Sequence, residues 1–350
     1  MIDERLSVKI KVLSAIALAF VVLQHSSAAV ESGSAAGFIW RNAIAYGIAD
    51  YPVSFFFLLS GFFLSRKLDK GWYLVAVRKR IRSLALPYFL WCMIGWCALG
   101  LLKSRSLLNV LGITHHLPVL ASLWYVKTLM ALVLSSPLVV ATAKMGTVSC
   151  KNRLTTWLCV YIVFATLCLV VNVPGQKTIV FSTMYFLLGV LIGVSGVWQA
   201  TLDKYQNVAK SVWLLMILGG GVVFKVSCCR IWSLPETFMR WFMVPICIVA
   251  SWMAYDFVDS RFCIVDCIKR AGFVSKILSG TFFMYCCQDL VMKMLINGVP
   301  YLGVHGFGYP KTALAAIALT VAVAIGAVAV LFLCRVICPP LYKILSGGRV

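Results

Sequence analysis

The chain has 350 residues, of which 62% are hydrophobic and 12% are charged, at a mean hydropathy of +0.95. A soluble domain is charged at roughly 25% of its positions, so this composition excludes a water-soluble protein, a disordered chain and a small disulfide scaffold. The 32 Lys and Arg outnumber the 11 Asp and Glu. In a soluble chain that excess would suggest nucleic acid. In a membrane protein it collects in cytoplasmic loops, so no nucleic-acid partner is expected.

Uncharged runs long enough to cross a bilayer, about 20 residues each, predict an all-α, polytopic transmembrane bundle of about ten spans. In chain order they lie near 10–29, 48–65, 83–102, 122–142, 154–173, 178–197, 211–227, 237–257, 275–297 and 312–334. With the N-terminus inside, the cytoplasmic segments hold 22 of the 32 cations and the outer loops hold 9, with Lys127 inside the fourth span. That asymmetry predicts N-in and C-in topology. A rival reading of the first span is a cleaved signal peptide, with Arg5, Lys9 and Lys11 before an apolar run that ends at Ser26, Ser27, Ala28 and Ala29. Cleavage there would remove or strand His25. No repeat or long soluble loop divides residues 1–350, so a single domain is expected.

Polar groups at membrane depth are costly and usually face the bundle interior or a watery cavity. The first is His25, near the end of the first span. A neutral imidazole can act as a base at physiological pH, although a helix-end histidine bonded to a neighbour is an equally plain reading. In the second span Ser60 and Gly61 interrupt the aromatic run Phe55-Phe56-Phe57-Leu58-Leu59-Ser60-Gly61-Phe62-Phe63, where small residues also permit close helix contact. Before the third span stand Arg78, Lys79, Arg80 and Arg82. They are suited either to anchor the chain at the cytoplasmic face or to hold phosphate. Lys127 follows Leu123-Trp124-Tyr125-Val126 and could snorkel to an interface or serve a site. The 14 cysteines fall mostly in spans, where a thiol is a small apolar group, and no spacing suggests a metal.

Taken in order, the Val-Val-x-x-His ending of the first span, the Phe-Phe-x-x-Ser-Gly-Phe helix, the basic cluster before Pro87-Tyr88 and the Leu-Trp-Tyr-Val run resemble the membrane acyltransferase family 3. The late segment Ser279-Gly280-Thr281-Phe282-Phe283-Met284-Tyr285-Cys286-Cys287-Gln288-Asp289 is similar to that family's Ser-Phe-x-x-Tyr-x-x-His signature. The resemblance runs over about residues 10–295. It implies an integral-membrane acyltransferase domain spanning the chain, in a bacterial inner membrane. Such an enzyme moves an acetyl or other short acyl group from acyl-CoA to a hydroxyl of a cell-surface or lipid-linked polysaccharide. It implies His25 as the catalytic base, assisted by Ser60 or Lys127, and Arg78, Lys79, Arg80 and Arg82 as donor-binding residues. No cofactor is expected to be bound permanently, acetyl-CoA or another acyl-CoA being a substrate. The partners are the glycan acceptor and membrane lipids, with a homo-oligomer left open.

Three departures stand out. Arg78, Arg80 and Arg82 are spaced by two, where the family commonly has two arginines three apart. Gln288 stands where many members have histidine, and Ser54 where an acid is frequent. Direct transfer and a covalent acyl intermediate both remain open. The chain ends soon after the tenth span, so no extracytoplasmic hydrolase-like domain is expected and transfer is expected to be self-sufficient. The competing functions are a transporter or flippase for a glycan or lipid-linked sugar, and a non-catalytic scaffold. Against a carrier, the spans lack paired intramembrane carboxylates and an inverted repeat.

Overall fold

The computed structural model describes residues 4–31, 33–65, 72–99, 110–111, 120–145, 176–195, 219–222, 236–299 and 304–349. The expected span at 154–173, and most of that at 211–227, lie outside the described residues. The described chain is almost wholly helical. Helices α1 (Glu4–Ser26), α2 (Ala35–Ile39), α3 (Pro52–Ser65), α4 (Trp72–Arg80) and α5 (Leu86–Ala98) come first. They are followed by α6 (Trp124–Leu134), α7 (Ser136–Met145), α8 (Gln176–Ser195) and α9 (Glu236–Phe262). Then come α10 (Ile264–Arg270), α11 (Gly272–Ser279), α12 (Thr281–Asn297), α13 (Ala313–Ile337) and α14 (Pro339–Leu345). One short antiparallel ladder, β1 (Gly298–Val299) with β2 (Val304–His305), pairs Gly298 with His305.

Among the described residues, five helical segments are long and apolar enough to cross a membrane: Glu4–Ser26, Ala35–Ser65, Trp72–Ala98, Met243–Phe262 and Ala313–Ile337. The last shows why lipid is the solvent. On α13, Leu314, Ile325 and Val336 are 77%, 64% and 79% exposed, while Ala316, Val323, Ala327 and Leu331 face the protein. An apolar face that bare is unsupportable in water and ordinary against acyl chains. The molecule is a multi-pass membrane protein.

Two expected spans are broken, each for a local reason. The run at 122–142 divides between α6 and α7 at Ser135. Pro137 has no N–H to give to the Val133 carbonyl four residues earlier; the Ser136 hydroxyl donates to that carbonyl instead, at 2.6 Å. The run at 275–297 divides between α11 and α12 at Gly280, where a Cβ would crowd the Leu331 side chain of α13. The third span begins earlier than expected. Helix α4 continues through a π-helical turn, Ile81–Ala85, into α5, so the basic cluster lies within the helical run rather than before it.

The chain forms two compact units. The first comprises residues 1–50, 81–127 and 263–350. In it α1 lies along α12 and α13 and against the short turn Ile48–Asp50, while α12 also meets α5 and the turn Ala121–Leu123. The C-terminal segment closes this unit. Pro87 leaves the Ser83 carbonyl without its helical donor, and Gly347, at φ +67°, comes against that same carbonyl where a side chain would overlap it. The Trp91 indole N–H donates to the Leu345 carbonyl at 3.4 Å. Arg335 ties α13 to α11 and α14 by donating to the Lys276 carbonyl, the Ser279 hydroxyl and the Tyr342 hydroxyl at 3.0, 3.0 and 2.6 Å.

The second unit comprises residues 51–80 and 128–262. Its centre is the pairing of α3 with α8. Gly61 of α3 faces the Phe186 carbonyl, Gly189 of α8 faces the Leu58 carbonyl, and Gly193 faces the Ser65 hydroxyl. The Gly189-x-x-x-Gly193 spacing puts both glycines on one face, and the two backbones meet there as small residues allow in lipid.

Candidate active site

His25 occupies the last turn of α1 and is half-buried. The residue before it, Gln24, donates from Nε2 to Oδ1 of Asp50 at 2.9 Å, and Asp50 is itself buried. The chain leaving α1 is held as well: the Trp40 indole donates to the Ser27 hydroxyl at 3.0 Å. These bonds fix the end of α1 against the turn Ile48–Asp50 and the segment after α2, so the imidazole stands on a constrained backbone.

The charges acting on the His25 ring belong to Asp289 and Lys293 of α12. They stand one helical turn apart and pair with each other at 3.2 Å. Asp289 is 7% exposed. A carboxylate so deeply buried needs a compensating cation, and Lys293 supplies it from the same helix. Packing of α1 on α12 thereby puts a proton acceptor within electrostatic range of a carboxylate and an ammonium. One turn earlier on α12, the Tyr285 hydroxyl donates to the Ser122 carbonyl at 2.5 Å, and its ring meets Tyr125 edge-on at 5.5 Å between centroids. The late aromatic motif and the Leu-Trp-Tyr-Val motif are thus one contact: each supplies a tyrosine to it.

The other expected site residues fall as follows. His25, Arg82 and Lys127 belong to the first unit, and Ser60, Arg78, Lys79 and Arg80 to the second. Lys127 is two positions past Tyr125 on α6, so its side chain leaves the helix about 200° round from the one that meets Tyr285. Of the four cations, Arg78, Lys79 and Arg82 are exposed and Arg80 is half-buried. The π turn places an extra residue in the helix after Arg80 and re-aims Arg82. Ser54 and Gly61 are buried on α3, and for Gly61 the close-packing reading accounts for the residue. Among the described residues no three His, Cys, Asp or Glu converge on one point.

Asp50 and Asp289 were absent from the sequence-based site. The signal was nevertheless present: each is an acid at or within an apolar helix, where such residues are rare and functional. Asp289 also directly follows Gln288, the position that departs from the family signature.

Comparison with known proteins adds one finding. The acyltransferase domain of family 3 matches residues 8–336, a range that includes the first span, His25 and the whole of α12. No curated protein matches the chain, and no solved structure does.

Proposed function

The chain belongs to acyltransferase family 3, and on that premise we propose that it transfers an acetyl or other short acyl group from acyl-CoA to a hydroxyl of a polysaccharide or lipid-linked sugar at the bacterial inner membrane. The observation that carries this reading is the packing of α1, which ends at His25, along α12, which carries the Asp289–Lys293 pair whose charges act on the ring. Acyl transfer to a hydroxyl needs a base that takes the proton and a group that stabilises the cation so formed. His25 takes the hydroxyl proton while the hydroxyl oxygen bonds to the thioester carbonyl carbon. Asp289 stabilises the imidazolium through its charge. The carbon–sulfur bond then breaks, and the thiolate leaves with the proton that His25 returns. Lys293 offsets the Asp289 charge in the resting state, and Lys127 or backbone amides assist the developing oxyanion.

The donor's phosphates fit the basic segment, with Arg80 and Arg82 foremost and Arg78 and Lys79 beside them. A guanidinium fork matches phosphate geometry, and under N-in topology this segment faces the cytoplasm, where acyl-CoA is made. Arg80→Glu with Arg82→Glu is expected to raise the apparent KM for acetyl-CoA by at least about tenfold, since reversing charge at phosphate contacts removes charge-assisted bonds. Kinetics on purified protein, with melting temperature as a fold control, check this. A variant that alters only insertion or topology would assign the cluster to anchoring.

The reading as a whole is tested by mass spectrometry of surface glycans from cells with and without the protein. A mass increment of one acetyl or other acyl group that depends on the protein supports it. Identical glycans, with glycan crossing the membrane only when the protein is present, would point to the flippase instead.

A further inference from the structure

Besides Ser83, near the C-terminal segment, three polar side chains of the first unit are buried without a hydrogen-bond partner among the described residues: the Ser26 hydroxyl, the Ser122 hydroxyl and both ends of the Gln288 amide. Their residues are 0%, 1% and 1% exposed. Leaving such a group unpaired is costly, and in a membrane bundle an apolar residue would be the cheaper occupant. All three belong to the elements that carry the proposed reaction centre or pack on them. Ser26 follows His25 directly. Gln288 precedes Asp289, whose charge acts on His25. Ser122 accepts at its carbonyl from Tyr285, one turn before Gln288 on α12. Packing of α1 and of the turn Ala121–Leu123 on α12 gathers the groups on one helix.

We infer that Gln288, with Ser26 and Ser122, forms the acceptor subsite and takes the hydroxyls of an uncharged sugar. This rests on the acyl-transfer reading above and names the part of the site that holds its second substrate. The chemistry of the three groups selects the ligand. None carries charge, so they do not suit the phosphates of CoA, which need cations. Hydroxyls both donate and accept, as does a primary amide, which offers two donors and an acceptor. A vicinal diol can therefore satisfy both ends of Gln288 at once, and the serines take a neighbouring hydroxyl. With the sugar seated there, the hydroxyl to be acylated lies beside His25. A sugar carboxylate would find no cation on these three groups, so the subsite favours neutral sugars.

The test uses membranes containing full-length protein and its own glycan, with radiolabelled acetyl-CoA as the donor. Binding of acetyl-CoA and thermal unfolding are measured in parallel on the purified protein. Gln288→Leu should lower label in the glycan by at least about tenfold, the equivalent of one or two lost hydrogen bonds. Its affinity for acetyl-CoA and its melting temperature should stay unchanged. Gln288→Asn, with the same amide on a shorter stem, should recover part of the loss. Gln288→Glu, similar in size but charged, should recover none. Wild-type labelling by Gln288→Leu overturns the subsite, and so does a loss of donor affinity in step with stability. Absence of label from wild-type membranes overturns the acyl-transfer reading itself, whereas label that Gln288→Leu leaves intact overturns the subsite alone.

Discussion

His25→Ala is expected to stop acetyl transfer to glycan while leaving the protein folded and able to bind acetyl-CoA. General-base catalysis by a positioned side chain contributes about 10²–10⁴-fold, so the residual rate should fall by that factor with little change in donor affinity. The placement of His25 makes the substitution clean. Its backbone is held from both sides, by Gln24 on Asp50 and by Trp40 on Ser27, so removing the ring does not free the end of α1. Asp289→Asn should also slow transfer, by less, because the imidazole survives but loses the carboxylate that stabilises its charged form. Groups that act as one unit are not additive. The double variant should therefore be no slower than His25→Ala alone. Initial rates for the three variants, read beside their melting curves, decide the matter. A His25→Ala protein that transfers at the wild-type rate removes histidine from the mechanism, and a double variant slower than His25→Ala separates Asp289 from it.

Gly61→Leu should have the largest effect on stability. Gly61 and Gly189 each bring a backbone against a carbonyl of the facing helix, Phe186 and Leu58 respectively, and Gly193 meets Ser65. Ser65 is itself tied down by donating to the Phe62 carbonyl at 2.8 Å, so it cannot swing aside. Overpacking a core against flexible side chains costs about 1–3 kcal/mol. Here the obstacle is main chain on two helices, and the loss should reach or exceed about 3 kcal/mol. In lipid no hydrophobic term draws helices together and van der Waals packing carries their association, so nothing offsets a separation of α3 from α8. Thermal unfolding in detergent should show a large drop for Gly61→Leu and a smaller one for Gly61→Ala. Unchanged melting for Gly61→Leu would mean that α3 and α8 do not pack through this glycine. Activity lost in these variants should fall together with stability, unlike the loss from His25→Ala.

The same contrast shows what could be read from residues alone. Ser60 and Gly61 look like one feature in the sequence, a small polar pair in an aromatic helix, open to a chemical or a packing role. The packing role of Gly61 became visible only with α8 opposite it, because glycine's value there lies in the carbonyl of a distant helix. The basic cluster shows a different limit. Its composition was plain, but its geometry depends on the π turn at Ile81–Ala85, which no spacing rule reveals. Pro137 was a legible break overlooked within an otherwise continuous apolar run.

Residue order alone places this chain in a bilayer, makes it helical and marks out His25, because hydropathy and the cost of a polar group in lipid are local properties of a residue and its neighbours. Family membership was likewise legible in four motifs taken in order, and the match over residues 8–336 agrees. Which charges act on that histidine depends on how the helices pack. Residues 25 and 289 stand far apart in the sequence, and the packing of α1 on α12 brings the charges of the Asp289–Lys293 pair to bear on the imidazole. Unpaired burial, as at Gln288, is a property of surroundings rather than of residue type, so it too became visible only once the helices were assembled.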